Sequence, residues 1–153
     1  MKGKYFTMKT KMVFSEYNPE TRMSTVKVAN TFGIFTGYAK CHPQDTESSF
    51  LGCHLAEYRA TIKALKYEAN LLNSQINVLY QTYGMFEANK DFNPNSLEAR
   101  KIRKMTYIKE TKYNEIINQI ASLEQRAEEL PLNREKVLKK INNMTAQNSD
   151  KDN

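Results

Sequence analysis

The sequence predicts an α+β fold: an N-terminal antiparallel β-sheet of about three strands, then two long antiparallel α-helices and a short C-terminal helix. Three features carry that reading. Residues 4–41 alternate apolar and polar side chains, as a half-buried sheet requires. Eleven apolar positions from Leu51 to Phe86 then recur at steps of four and three, the 3.5-residue period of a coiled-coil seam. Only nine of 153 residues are Gly or Pro, which excludes a loop-rich or low-complexity chain. A single domain over 1–145 is expected, with the sheet in 4–41, a helical hairpin in 46–130, a short helix in 133–145 and a disordered tail in 146–153.

Each element has a local cause. Phe6, Met8, Met12 and Phe14 share one parity with lysines and threonines between them, which puts all four on the buried face of the first strand. Asn18-Pro19 opens a turn. Thr25–Ala29 and Ile34–Cys41 are strand-forming runs joined by the hairpin signal Asn30-Thr31-Phe32-Gly33. His42-Pro43 stops the third strand, and Asp45, Thr46 or Ser48 can cap the first helix.

That helix carries its seam on Leu51, Leu55, Tyr58, Ile62, Leu65, Ala69, Leu72, Ile76, Leu79, Tyr83 and Phe86, about 55 Å of rod. A small core cannot cover that length, so part of the seam must meet another helix. Asn95 with Glu98 three residues on has the spacing of a capping box for the second helix. The second helix is apolar at Tyr113, Ile116, Ile120, Leu123, Ala127 and Leu130. Pro131 ends it, and Val137, Leu138, Ile141 and Met144 form the face of the short third helix.

No stretch reaches the roughly 18 apolar residues of a membrane span, and Met1–Phe6 lack the apolar core of a signal peptide. Two cysteines do not make a disulfide framework. A soluble cytoplasmic protein is expected. Its net charge is +6, and residues 1–44 hold seven Lys or Arg against two Glu. The basic excess implies an anionic partner.

Catalytic signatures are missing: there is no Gly-x-Ser-x-Gly, no phosphate-binding Gly-rich loop and no His-Glu-x-x-His. No enzyme, no cofactor and no catalytic residue are expected. Cys41-His42 and Cys53-His54 hold zinc-type ligands, but adjacent ligands do not match zinc spacings, and buried thiols are the plainer reading. No metal site is expected.

Binding chemistry gathers instead where the two long helices join. Tyr80, Tyr83, Phe86 and Phe92 gather at the end of the first helix and in the loop, and Asn93 and Asn95 lead into a second helix that opens with Arg100, Lys101, Arg103 and Lys104. A helix N-terminus and arginines suit phosphates. Aromatic faces suit a base, and asparagines suit base edges or ribose hydroxyls. A second basic region lies on the sheet, where Lys4, Lys9, Lys11, Lys27 and Lys40 interleave with Tyr5, Phe6, Phe14, Phe35 and Tyr38, a pattern of nucleic-acid modules. There the plainer reading is a charged outer face over an apolar inner one.

The segment Gly37-Tyr38-Ala39-Lys40-Cys41-His42-Pro43-Gln44-Asp45, followed by Gly52 and Ala56-Glu57-Tyr58-Arg59-Ala60, resembles a segment that recurs in phage and Firmicute proteins. With the basic sheet and long helices, the chain over about residues 4–130 resembles the first Thoeris anti-defence family of phages. Members are sponges that bind cyclic ADP-ribose isomers made by TIR-domain immune enzymes and withhold them from the effector. The resemblance implies a ligand held where helices of neighbouring protomers meet, and some members also hold cyclic oligonucleotides. The stacking aromatic would be Tyr83 or Phe86, the asparagine Asn93 or Asn95, and the phosphate partners Arg100, Arg103 and Arg59.

The function expected is therefore non-catalytic sequestration of a cyclic nucleotide signal in the host bacterial cytoplasm. The partners expected are a small cyclic nucleotide and further copies of the chain, a dimer or higher homo-oligomer through the long helices, with no membrane and with nucleic acid disfavoured. Nucleic acid on the basic aromatic sheet, and a coiled-coil adaptor role, are the alternatives ranked below it.

Overall fold

The computed structural model describes residues 9–41 and 49–151, with helical side chains from Leu51 to Leu130. Strands β1 (Lys11–Asn18), β2 (Met23–Asn30) and β3 (Gly33–Lys40) form an antiparallel meander in the order β1-β2-β3. Helices α1 (Ser49–Glu87) and α2 (Leu97–Lys151) come next and lie antiparallel. This is the α+β layout the alternation and the seam predict. Expectations that rest on Tyr5, Phe6, Met8, His42 and the caps at 45–48 lie outside the described residues, as do the side chains of the face at 137–144.

Both turns form where expected. Asn18 Oδ1 accepts the backbone N–H of Glu20 at 2.9 Å, and Arg22 closes the loop in the left-handed region at φ 57°. In the β2–β3 hairpin, Asn30 Oδ1 accepts the N–H of Phe32 at 2.8 Å, and Gly33 takes φ 143°, a conformation that side chains with a Cβ avoid.

The first strand departs from its expected parity. Met12 pairs with Val28 but Phe14 pairs with Lys27, so the register shifts at Val13. The extra residue turns Phe14 to the outer face, because each slip by one residue exchanges the two sides of a strand. β1 is accordingly exposed over most of its length rather than half-buried.

The inner face of the sheet is built from small side chains. Ser24, Val26 and Val28 of β2 pair with Ala39, Gly37 and Phe35 of β3. Against them α1 presents Gly52, Ala56, Ala60 and Ala64, each one helical turn from the next. A Cβ on Gly37 would collide with the carbonyl oxygen of Ala56, and one on Gly52 with Ser24 Oγ. Helix and sheet thus touch backbone to backbone.

A second face of α1 makes the other core. Ile62, Leu65, Ala69 and Leu72 pack on Ile116 and Ile120 of α2, with Tyr113 and Leu123 at the margin. The seam is therefore shared: Leu55 belongs with the sheet core, residues 62–76 meet α2, and Phe86, 39% exposed, lies beyond both. Glu68 is buried in the hairpin and pairs with Lys112 at 3.2 Å, while Lys66 and Glu124 pair at 3.3 Å on the surface.

Three local expectations change. Ser96, not Asn95, caps α2: its Oγ accepts the N–H of Ala99 at 3.3 Å, while Asn95 donates its own N–H to Asn93 Oδ1 at 2.9 Å. Cys41 and Cys53 are half-buried rather than buried. The backbone of α2 also runs through Pro131 to Lys151, so the short helix expected over 133–145 continues α2 instead of standing apart. A proline inside a helix removes one backbone donor but leaves the flanking turns able to continue. Among the described residues, no helix is long and apolar enough to cross a membrane.

Candidate functional site at the hairpin tip

Antiparallel pairing of the helices brings the end of α1 against the start of α2, and this sets three of the chemistry-bearing residues together. Arg103 Nη1 donates to Tyr83 Oη at 2.8 Å, and its guanidinium lies 5.9 Å from the centre of the Tyr83 ring. Phe92, from the loop, meets the same ring edge-on at 5.7 Å. The loop itself is held by Asx turns at Asn89 and Asn93. A guanidinium only donates, so Tyr83 accepts here and its own proton is directed to some other acceptor. The cluster sets two aromatic rings, a phenolic donor and a cation within one small patch.

The remaining sequence candidates fall into two groups. Asn93, Asn95 and Arg100 are exposed on the loop and first turn of α2, beside the cluster. Phe86 is exposed at the last turn of α1 and joins neither Tyr83 nor Arg103 in a ring contact. Arg59 stands apart. It lies 24 residues before Tyr83 on the same helix, about 36 Å away. Its Nη1 donates to the carbonyl of Tyr38 at 2.6 Å, and Lys63 Nζ donates to that of Thr36 at 2.7 Å. Both cations close the free edge of β3, which otherwise presents unpaired carbonyls.

Sequence reasoning named Tyr80 at the junction but missed its partner, and it passed over a cleft elsewhere. Tyr80 donates to Glu110, a bond that bridges the helices one turn from the cluster and raises the Tyr80 pKa above its ordinary 10.0, with burial and the carboxylate charge adding to the effect. No spacing rule links positions 30 apart, but a hairpin with its loop at 88–96 does. A cleft of about 350 Å³ also lies far from the tip, between Lys9, Thr61, Gln119, Ser122 and Arg126. Among the described residues, no group of three or more His, Cys, Asp or Glu is placed to hold a metal ion. Cys41 Sγ instead accepts from Arg22 Nη2 at 3.3 Å.

No family model, no curated protein and no solved structure matches this chain.

Proposed function

We propose that the protein is a non-catalytic phage anti-defence protein that binds and sequesters a cyclic nucleotide immune signal, a cyclic ADP-ribose isomer made by a TIR enzyme. The observation that carries the reading is the Tyr83–Arg103–Phe92 cluster at the hairpin tip. Its aromatic rings suit adenine, and its guanidinium and phenol suit phosphates and ribose. Between the two aromatics named from sequence, the cluster favours Tyr83 over Phe86 as the stacking residue. Between the two asparagines, the Asx turn ties up Asn93 and leaves the Asn95 side chain as the better ligand group.

Sequestration requires tight binding without turnover, and slow release serves it better than fast capture. A homo-oligomer built through the long helices would wall the site on its open side. Leu71, Val78 and Met85 support that assembly: they recur every seven residues on α1 and are 38%, 60% and 76% exposed. The host bacterial cytoplasm, where the signal is made, is the compartment this function needs.

Mixing the purified protein with the product of an active TIR enzyme tests the proposal. Depletion of free signal, and recovery of intact signal after heat denaturation, are the expected results. Hydrolysed product in the denatured sample, or undiminished free signal, overturns it.

A further inference from the structure

The outer face of the sheet carries the second concentration of cations, and its composition differs from what alternation alone gives. Pairing across the three strands makes rows on this face: Phe14, Lys27 and Thr36 in one, Glu16, Thr25 and Tyr38 in the next. Lys11 and Lys40 flank them at opposite corners. The bulge at Val13 brings Phe14 to this side, so that aromatic rings and lysines stand on one surface rather than on two. Phe14 and Tyr38 are 40% and 50% exposed. Neither ring is spent in the core.

Cations are already seated on both rings. Lys27 Nζ lies 5.3 Å from the centre of Phe14, and Lys63 Nζ lies 5.7 Å from the centre of Tyr38. Glu16 is the one carboxylate that the register places on the face, against Lys11, Lys27 and Lys40, with Lys63 at its margin. Two strands and one row separate the rings, about 12 Å. That is too far for one base to touch both and suits successive bases of an extended strand.

We propose that this face binds single-stranded nucleic acid, with Phe14 and Tyr38 as base-stacking platforms and Lys11, Lys27, Lys40 and Lys63 as phosphate partners. Charge complementarity selects a polyanion, since residues 1–44 hold seven cations against two carboxylates. The exposed rings select an unpaired one, because a duplex already stacks the faces of its bases on each other. DNA and RNA offer the same phosphates and base faces here. The site is about 35 Å from the hairpin tip along α1, since Arg59 holds the Tyr38 backbone, and it stands whether or not the tip binds a cyclic nucleotide.

Fluorescence anisotropy of the full-length protein with labelled single-stranded oligonucleotides of mixed sequence, one DNA and one RNA, tests the assignment, with a duplex of the same length as control. Binding of one or both single strands is expected, with log K falling against log salt at a slope of about −3, near 0.7 per neutralised phosphate. Phe14→Ala and Tyr38→Ala should each weaken binding at least fivefold at unchanged circular dichroism, as loss of one stacking contact does. Lys27→Gln should flatten the salt slope by about 0.7. Lys66→Gln, a surface cation outside both sites, should leave the affinity unchanged. Equal affinity for the duplex, wild-type affinity in both aromatic variants, or no binding at low salt overturns the proposal. So does a dimer that Phe14→Ala dissociates, since a second copy then owns the face.

Discussion

Lys112 Nζ sits 3.2 Å from Glu68 Oε1, and only the lysine reaches solvent, its side chain being 27% exposed against 3% for the glutamate. The pair is close but lacks the alignment of a hydrogen bond. Removing one partner therefore strands a buried charge, which costs far more than the pair contributes. Lys112→Met is expected to lower unfolding stability by about 3 kcal/mol, and the double variant with Glu68→Met should recover most of that loss. Urea denaturation of the single and double variants measures both. A double variant no better than the single one would show that Glu68 does not depend on Lys112.

Gly37 faces the Ala56 carbonyl with no room for a methyl group. Gly37→Ala is expected to cost about 3 kcal/mol, because the opposing atom belongs to backbone and cannot swing aside. Gly84, with nothing near its missing Cβ, is the control. Gly84→Ala sits in a helix and should gain roughly 0.5–1 kcal/mol. Thermal melts of the two variants should move in opposite directions.

Ser24 is 1% exposed, and its hydroxyl has no hydrogen-bond partner among the described residues. A buried hydroxyl left unpaired carries its full desolvation cost, about 1–3 kcal/mol. Ser24→Ala should raise stability by about 1 kcal/mol, and the smaller side chain also relieves the contact with Gly52. A midpoint that falls would show that the hydroxyl is satisfied in solution.

The Tyr80–Glu110 bond gives a pH signature. Its hydrogen bond to Glu110, then burial and the nearby charge, hold the Tyr80 pKa above 10.0. A folded-state pKa raised in this way contributes stability in full below the unfolded value of about 10 and loses it as pH climbs through the folded one. Wild type should thus exceed Tyr80→Phe in stability at neutral pH, and the gap should close in strong alkali. A gap independent of pH would assign it to packing.

Arg59 separates the two ends of the molecule experimentally. Arg59→Ala frees the Tyr38 carbonyl and should cost about 1 kcal/mol of stability. Arg103→Ala should abolish binding of cyclic ADP-ribose isomers while leaving the melting midpoint within the range of a surface change. Calorimetry of both variants against the same ligand resolves the two effects.

Much of this was legible from local pattern. The hairpin at Asn30–Gly33, the turn at Asn18 and the alternation of Val26 and Val28 are short-range chemistry, and the eleven-position seam needs only helical periodicity. What stayed hidden depends on contacts between elements. The bulge at Val13 reverses Phe14 without any glycine or proline to mark it. Gly52, Ala56, Ala60 and Ala64 do not register as a seam, because small residues bury little area even when they set the closest approach. The Tyr83–Arg103 contact depends on how the hairpin aligns, so sequence supplied both residues but not their distance. Arg59 adds a contact of the same kind, since its bond to the Tyr38 carbonyl depends on where the helix lies against β3.

The close approach of β3 to α1 also ties positions together over generations. A residue larger than glycine at 37 can be accepted only if the helix backbone at 56 retreats, and that retreat opens space beneath Val26 and Ala39. No single substitution satisfies both demands. In any set of relatives these positions should therefore change in concert or not at all, and a chain with alanine at 37 should show enlarged side chains at the facing sites.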